Sequence, residues 1–261
     1  MSDAVELAFS SFGEGEPVVI LHGLFGSARN WQTIAQRLAE RWRVLTPDLR
    51  NHGASPWHSD ATYPALAADL HRFVGEHAPD GSLVAGHSMG GKAAMALALL
   101  HPEQVRALAV MDIAPVTYAH GQGHLHYIEA MRALDLGTMG RRGDVDAALA
   151  DAVPEAPIRQ FLLKNLATDE GRMTWRINLE ALSHQMDEIV GFPADLEQRQ
   201  YSGSTLFLHG GASDYVRADH HRTIKQMFPA AVITAVEGAG HWLHAEQPAA
   251  VAKALTEFLG G

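Results

Sequence analysis

The chain has 261 residues, enough for one α/β domain with an insertion, and 47% of them are hydrophobic, enough for a sizeable core. Thirty acidic against twenty basic residues give a net charge of −10, the wrong sign for holding a phosphate backbone, so nucleic acid is not an expected partner. Cysteine is absent, which excludes disulfides, thiolate metal sites and a cysteine nucleophile, and no apolar run reaches the 18 residues of a membrane span.

The first segment, acidic rather than basic-then-apolar, does not read as a signal peptide, and a cytoplasmic protein is expected. Val5 to Phe9 alternates as an edge strand, and Val18 to Leu21 reads as a buried one. The latter ends at the glycine-rich loop His22-Gly23-Leu24-Phe25-Gly26-Ser27, ahead of a helix from about Asn30 to Arg41. A strand at Val44 to Pro47 delivers the polar loop from Asp48 to Pro56, and Tyr63 to His77 has helical periodicity.

Leu83 to Ala85 is a buried strand that meets the helix formers Ala93 to Leu100 at Gly86-His87-Ser88-Met89-Gly90. A Gly-x-Ser-x-Gly between strand and helix holds the serine in a strained turn that only small neighbours permit, with its hydroxyl presented at the sheet's edge. Val105 to Met111 is the next strand and ends in Asp112-Ile113-Ala114-Pro115.

Strand and helix then cease to alternate. Residues 116–200 carry helical spacing at Leu125 to Leu134, Val145 to Val153, Ile158 to Leu166 and Leu179 to Ile189, with no clear strand. An all-helical insertion near the strand ends, where open α/β sheets bind ligands, reads as a lid. Strands resume at Thr205 to Leu208 and Ala231 to Val236, helices at His220 to Phe228 and Pro248 to Phe258. The expected fold is therefore a mostly parallel, doubly wound sheet, with residues 1–115 and 201–261 as the core domain and 116–200 as the lid.

A serine nucleophile needs a base and a third group to orient that base. His241, in the turn Gly238-Ala239-Gly240-His241-Trp242 directly after the last strand, is the candidate base. Two aspartates end strands after the serine. The usual register for the acid, counted from Gly210 to Val216, falls on Ser213, and Asp214 is displaced by one residue, which in extended backbone turns its side chain away. Asp112 ends the strand next to the serine's own and is the first candidate, with Asp214 the alternative. Backbone N–H groups of Leu24 and Met89 are the candidate oxyanion donors, each worth roughly 3–4 kcal/mol of barrier. The histidines of His120-Gly121-Gln122-Gly123-His124-Leu125-His126 lack an acidic partner at ligand spacing, so pocket lining or surface is expected rather than a metal site. Arg141-Arg142 reads as a solvated turn rather than a steering patch for an acidic substrate.

Together, His22-Gly23-Leu24-Phe25-Gly26-Ser27, Asp48-Leu49-Arg50-Asn51-His52-Gly53, Gly86-His87-Ser88-Met89-Gly90-Gly91-Lys92, Asp112-Ile113-Ala114-Pro115 and Gly238-Ala239-Gly240-His241-Trp242 resemble the α/β-hydrolase superfamily, specifically its small YbfF-type esterases. The resemblance spans nearly the whole chain and is weakest over the lid. It implies Ser88, Asp112 and His241 as the catalytic residues, no cofactor or metal, and carboxylesterase activity on a small acyl ester or thioester. One departure stands out: relatives of this type lack an acid at the place of Asp214. A cofactor-free perhydrolase or haloperoxidase with the same residues, or a ligand-binding receptor on the same scaffold, are the alternatives. Epoxide and haloalkane hydrolysis is disfavoured, because related enzymes carry an aspartate where Ser88 stands.

Overall fold

In a computed structural model, which describes residues 3–119 and 121–260, seven strands form one sheet. They are β1 (Phe9–Phe12), β2 (Pro17–Leu21), β3 (Arg43–Pro47), β4 (Ser82–His87), β5 (Val105–Met111), β8 (Ser204–Gly210) and β9 (Ala231–Val236). Their order is β1-β3-β2-β4-β5-β8-β9, and every neighbouring pair is parallel except β1 with β3. The chain is thus the doubly wound α/β fold that its alternation of strand and helix predicts.

Side-chain alternation along the central strands splits the core in two. Val19, Leu21 and Val84 face one layer with the apolar faces of α2 (Tyr63–His77) and α3 (Met89–Leu100). Val18, Ile20 and Leu83 face the other, against α1 (Gln32–Leu38) and α11 (Pro248–Leu259). A strand buried on both faces needs an apolar residue at every position, which is why β2 reads as a continuous run.

The edge strand is not Val5 to Phe9 but Phe9–Phe12, which shares only Phe9 with that expectation. The backbone before Phe9 is taken by polar side chains of α2 and of the loop after β3 instead of a partner strand: Val5 N–H donates to Asp69 Oδ1 at 2.7 Å, and Ala8 N–H to Ser55 Oγ at 2.9 Å.

The insertion is not all-helical, which corrects the sequence reading. It holds α4 (Gly121–Arg132), α5 (Arg142–Leu149) and α6 (Ala156–Leu162), then the antiparallel hairpin β6 (Leu166–Asp169) and β7 (Arg172–Trp175). Glu170 and Gly171 both have positive φ, 46° and 80°, the two-residue turn whose twist suits a hairpin. The Gly beside a β-branched and aromatic run was the available sequence signal. The stretch from Leu179 to Ile189 is also two helices, α7 (Leu179–His184) and α8 (Met186–Val190), with Gln185 between them. After β8 come α9 (His221–Met227) and, after β9, the short α10 (Leu243–Glu246). Among the described residues no helix is long and apolar enough to cross a membrane.

Candidate active site

Ser88 occupies the junction of β4 and α3 with φ 52° and ψ −121°, a conformation that costs a non-glycine residue about 1–3 kcal/mol and persists only where the surroundings impose it. They do so through contact. A Cβ on Gly86 would lie 2.2 Å from the Gly90 carbonyl oxygen, and one on Gly90 would lie 2.4 Å from that of His22. The two glycines therefore let the strand, the turn and the backbone of the glycine-rich loop close on one another. Ser88 is partly exposed, and its hydroxyl makes no hydrogen bond to another described residue.

Asp112 follows β5 and is fully buried, with φ 48°. Its carboxylate accepts three hydrogen bonds: Gly210 N–H on Oδ1 at 2.9 Å, and on Oδ2 the Ser213 hydroxyl at 2.5 Å and His241 Nδ1–H at 2.7 Å. As the acceptor of that bond, the carboxylate fixes the imidazole with the proton on Nδ1 and the lone pair on Nε2. Asp214 is exposed. Ser213 and Tyr215, which the sequence reading did not assign, bracket it: the Tyr215 ring stacks on His241 with centroids 3.7 Å apart and planes at 14°. Burial first, then the charge of Asp112, pushes the Tyr215 hydroxyl up to about 12, so the ring is a neutral wall.

Two further histidines hold the loops. His22 Nε2 accepts the Leu49 N–H at 3.0 Å, which leaves Nδ1–H to donate to the Gly23 carbonyl at 2.8 Å. Burial lowers its pKa to about 4, so it is a neutral bracket for the glycine-rich loop. His87, inside the Gly-x-Ser-x-Gly, donates from Nε2 to the His241 carbonyl at 2.8 Å, and desolvation holds it well below the usual imidazole range. Their only sequence signal was position beside the motif glycines.

Ser88, His241 and Leu24 line one cavity of about 260 Å³, whose other walls include Phe25, Phe161 and Trp242. Leu24, Ser88 and Met89 also border a smaller one. Neither the Leu24 nor the Met89 N–H has an acceptor among the described residues. The loop bearing Leu24 is tied to the insertion, since Asn165 Nδ2 donates to the Phe25 carbonyl at 2.8 Å, and Phe25 itself has φ 60°.

Lys92, one turn into α3 from Ser88, is buried with its ammonium on three carbonyls: Val116 at 2.9 Å, Val190 at 2.8 Å and Gly191 at 2.5 Å. Burial pulls its pKa down to about 7, while the three acceptors and the ring of Tyr118, 4.8 Å away, favour the charged form. It joins two parts of the insertion, at Val116 and at Val190 and Gly191, to α3.

Of the imidazoles weighed as metal ligands, His120 lies outside the described residues. His124 lines the cavity, and His126 donates to the Ala152 carbonyl at 2.6 Å. The arginine turn is part structural: Arg141 pairs with Asp144 at 3.1 Å in solvent, and Arg142 donates to the Leu163 carbonyl at 3.0 Å.

Residues 16–248 match the model of the alpha/beta hydrolase fold family. The chain belongs to the α/β-hydrolase family. Within it, this hydrolase is 44% identical over 248 residues to the sn-1-specific diacylglycerol lipase ABHD11 of Mus musculus, covering 93% of this chain and 80% of that one. It is 37% identical to the esterase YbfF of Escherichia coli K12, covering 93% and 92%. A marine microorganism esterase of known structure superposes with a TM-score of 0.94 at 37% identity, covering 98% of this chain and all of that one. These relatives are carboxylic ester hydrolases, esterases and lipases.

Proposed function

We propose that this α/β-hydrolase is a serine esterase of the group that contains these relatives, cleaving acyl esters, and thioesters by the same steps. The observation that carries the reading is the His241 Nδ1–Asp112 Oδ2 hydrogen bond of 2.7 Å beside a strained serine in one cavity. His241 takes the Ser88 proton on Nε2 as the hydroxyl attacks the acyl carbon, and Asp112 steadies the imidazolium. The anionic oxygen of the tetrahedral intermediate is received by the Leu24 and Met89 N–H groups, Met89 at the positive end of α3. His241 then protonates the departing alcohol or thiol, leaving the acyl group on Ser88. Water, deprotonated by the same imidazole, releases the acid and restores the serine.

The apolar walls at Phe25, Phe161 and Trp242 suit a hydrocarbon acyl chain, and residues 116–200 act as the lid above it. Support for Asp112 over Asp214 as the acid is its burial and its bond to His241. The test is Ser88→Ala, which should cost about a millionfold in turnover of p-nitrophenyl acetate and abolish labelling by a fluorophosphonate. Undiminished hydrolysis by that variant sinks the reading.

A further inference from the structure

A second cavity, of about 210 Å³, adjoins the first. Neighbouring residues of two short segments line the two. Gly26, Asn30 and Leu162 border the catalytic cavity, whereas Ser27, Arg29, Lys164 and Asn165 border the second. Neighbouring positions of the same two segments thus face the two cavities.

The chemistry differs sharply between the two. Arg29, Lys164 and Arg176 line the second cavity, and among the described residues none of them forms an ion pair or a side-chain hydrogen bond. Its one carboxylate, Asp48, is already engaged: Oδ1 accepts the Ala28 N–H at 2.7 Å and Oδ2 the Ala54 N–H at 2.9 Å. In a chain with thirty acidic side chains, three exposed cations against the single carboxylate of Asp48 leave this cleft formally positive, a local reversal of the protein's charge balance. The charge of Lys164 reaches His244 in the wall of the catalytic cavity, so the two cavities lie within electrostatic range.

We propose that this cleft is a phosphate-binding subsite for the leaving group of the substrate. The proposal rests on the esterase reading and narrows its substrate class to acyl esters or thioesters whose alcohol or thiol carries a phosphate. Arg29 and Arg176 offer planar forks matched to phosphate oxygens, and Lys164 a point charge. The phosphate is not cleaved: the acyl group passes to Ser88, the alcohol or thiol oxygen or sulfur takes its proton from His241, and the phosphate only holds the departing half. A glycerol phosphate and a nucleotide phosphate share this chemistry.

The test uses the full-length Ser88→Ala protein, so that binding is read without turnover. Glycerol phosphate and adenosine bisphosphate are titrated calorimetrically at low and at high salt. One of the two should bind, which names the source. Its affinity should fall about tenfold in the added triple variant Arg29→Gln, Lys164→Gln, Arg176→Gln, as three exposed charge contacts allow, and fall again with salt. Binding of neither probe, or equal binding by the triple variant, overturns the subsite. Hydrolysis of p-nitrophenyl acetate by the unmodified protein, a neutral ester, reports on the esterase reading separately, so the two failures are distinguishable.

Discussion

The Ser213 hydroxyl donates to Asp112 Oδ2 at 2.5 Å, onto the same oxygen that accepts His241 Nδ1–H at 2.7 Å. Ser213 stands at the register where the acid of a serine hydrolase ordinarily lies. Here that position supplies a hydroxyl donor to a carboxylate delivered from the neighbouring strand. The two strand ends, after β5 and after β8, thus act on one imidazole.

Ser213→Ala removes one charge-assisted bond, so kcat toward acyl esters should fall about tenfold with little change in KM, the loss expected for a bond to a charged group worth about 1.5 kcal/mol. Steady-state kinetics on p-nitrophenyl esters read it. An unchanged kcat would mean that Gly210 N–H and His241 alone hold the carboxylate.

Asp112→Asn should lower kcat by about ten thousandfold, because the amide can present a donor to Nδ1 and reverse the tautomer. Asp214→Asn, at an exposed position, should leave kcat within about twofold, as surface substitutions usually do. The opposite ranking would transfer the orienting role to Asp214.

Asn165→Ala frees the Phe25 carbonyl and with it the loop that carries Leu24. If that loop supplies an oxyanion donor, as proposed, the variant should affect kcat more than KM, and the loss expected is about tenfold, part of the roughly 3 kcal/mol of such a donor. Equal losses in kcat for cleavage and in thermal stability would instead mark it as purely structural.

Lys92→Met leaves the Val116 and Gly191 carbonyls without a donor where the insertion meets α3, while that of Val190 keeps the Tyr118 N–H at 3.0 Å. Destabilisation of about 3 kcal/mol is expected from removing one partner of a buried charged network, measured as a lower urea midpoint.

Acid should destabilise the fold. His22 and His52 are fully buried, with pKa values lowered by desolvation to about 4 and about 3 from an unfolded value of 6.5. Between pH 6.5 and those values the unfolded chain binds more protons than the folded one. Stability is therefore whole above 6.5 and falls as the pH drops, by roughly 3 kcal/mol for His22 and roughly 5 kcal/mol for His52 at the limit. Urea midpoints across that window should decline, and His52→Phe should flatten the decline; a level profile in the parent would contradict the burial argument.

By itself the sequence determined the sheet, the serine turn and the loops at its edge, because each has a local cause. A strand buried on both faces must be apolar throughout, a helix shows its period, and a turn closed as tightly as that at Ser88 demands glycine at 86 and 90. The insertion was less legible: its hairpin is two strands of four residues whose turn, Glu170-Gly171, depends on positive φ rather than on a recognisable dipeptide. What only the tertiary structure decided is which polar groups meet. Asp112 and His241 are 129 residues apart, Asp112 and Ser213 101, and Asn165 lies 140 from the Phe25 carbonyl that it holds. No periodicity encodes such meetings, since they follow from the order in which parallel strands are laid side by side, and that order is set by packing over the whole sheet.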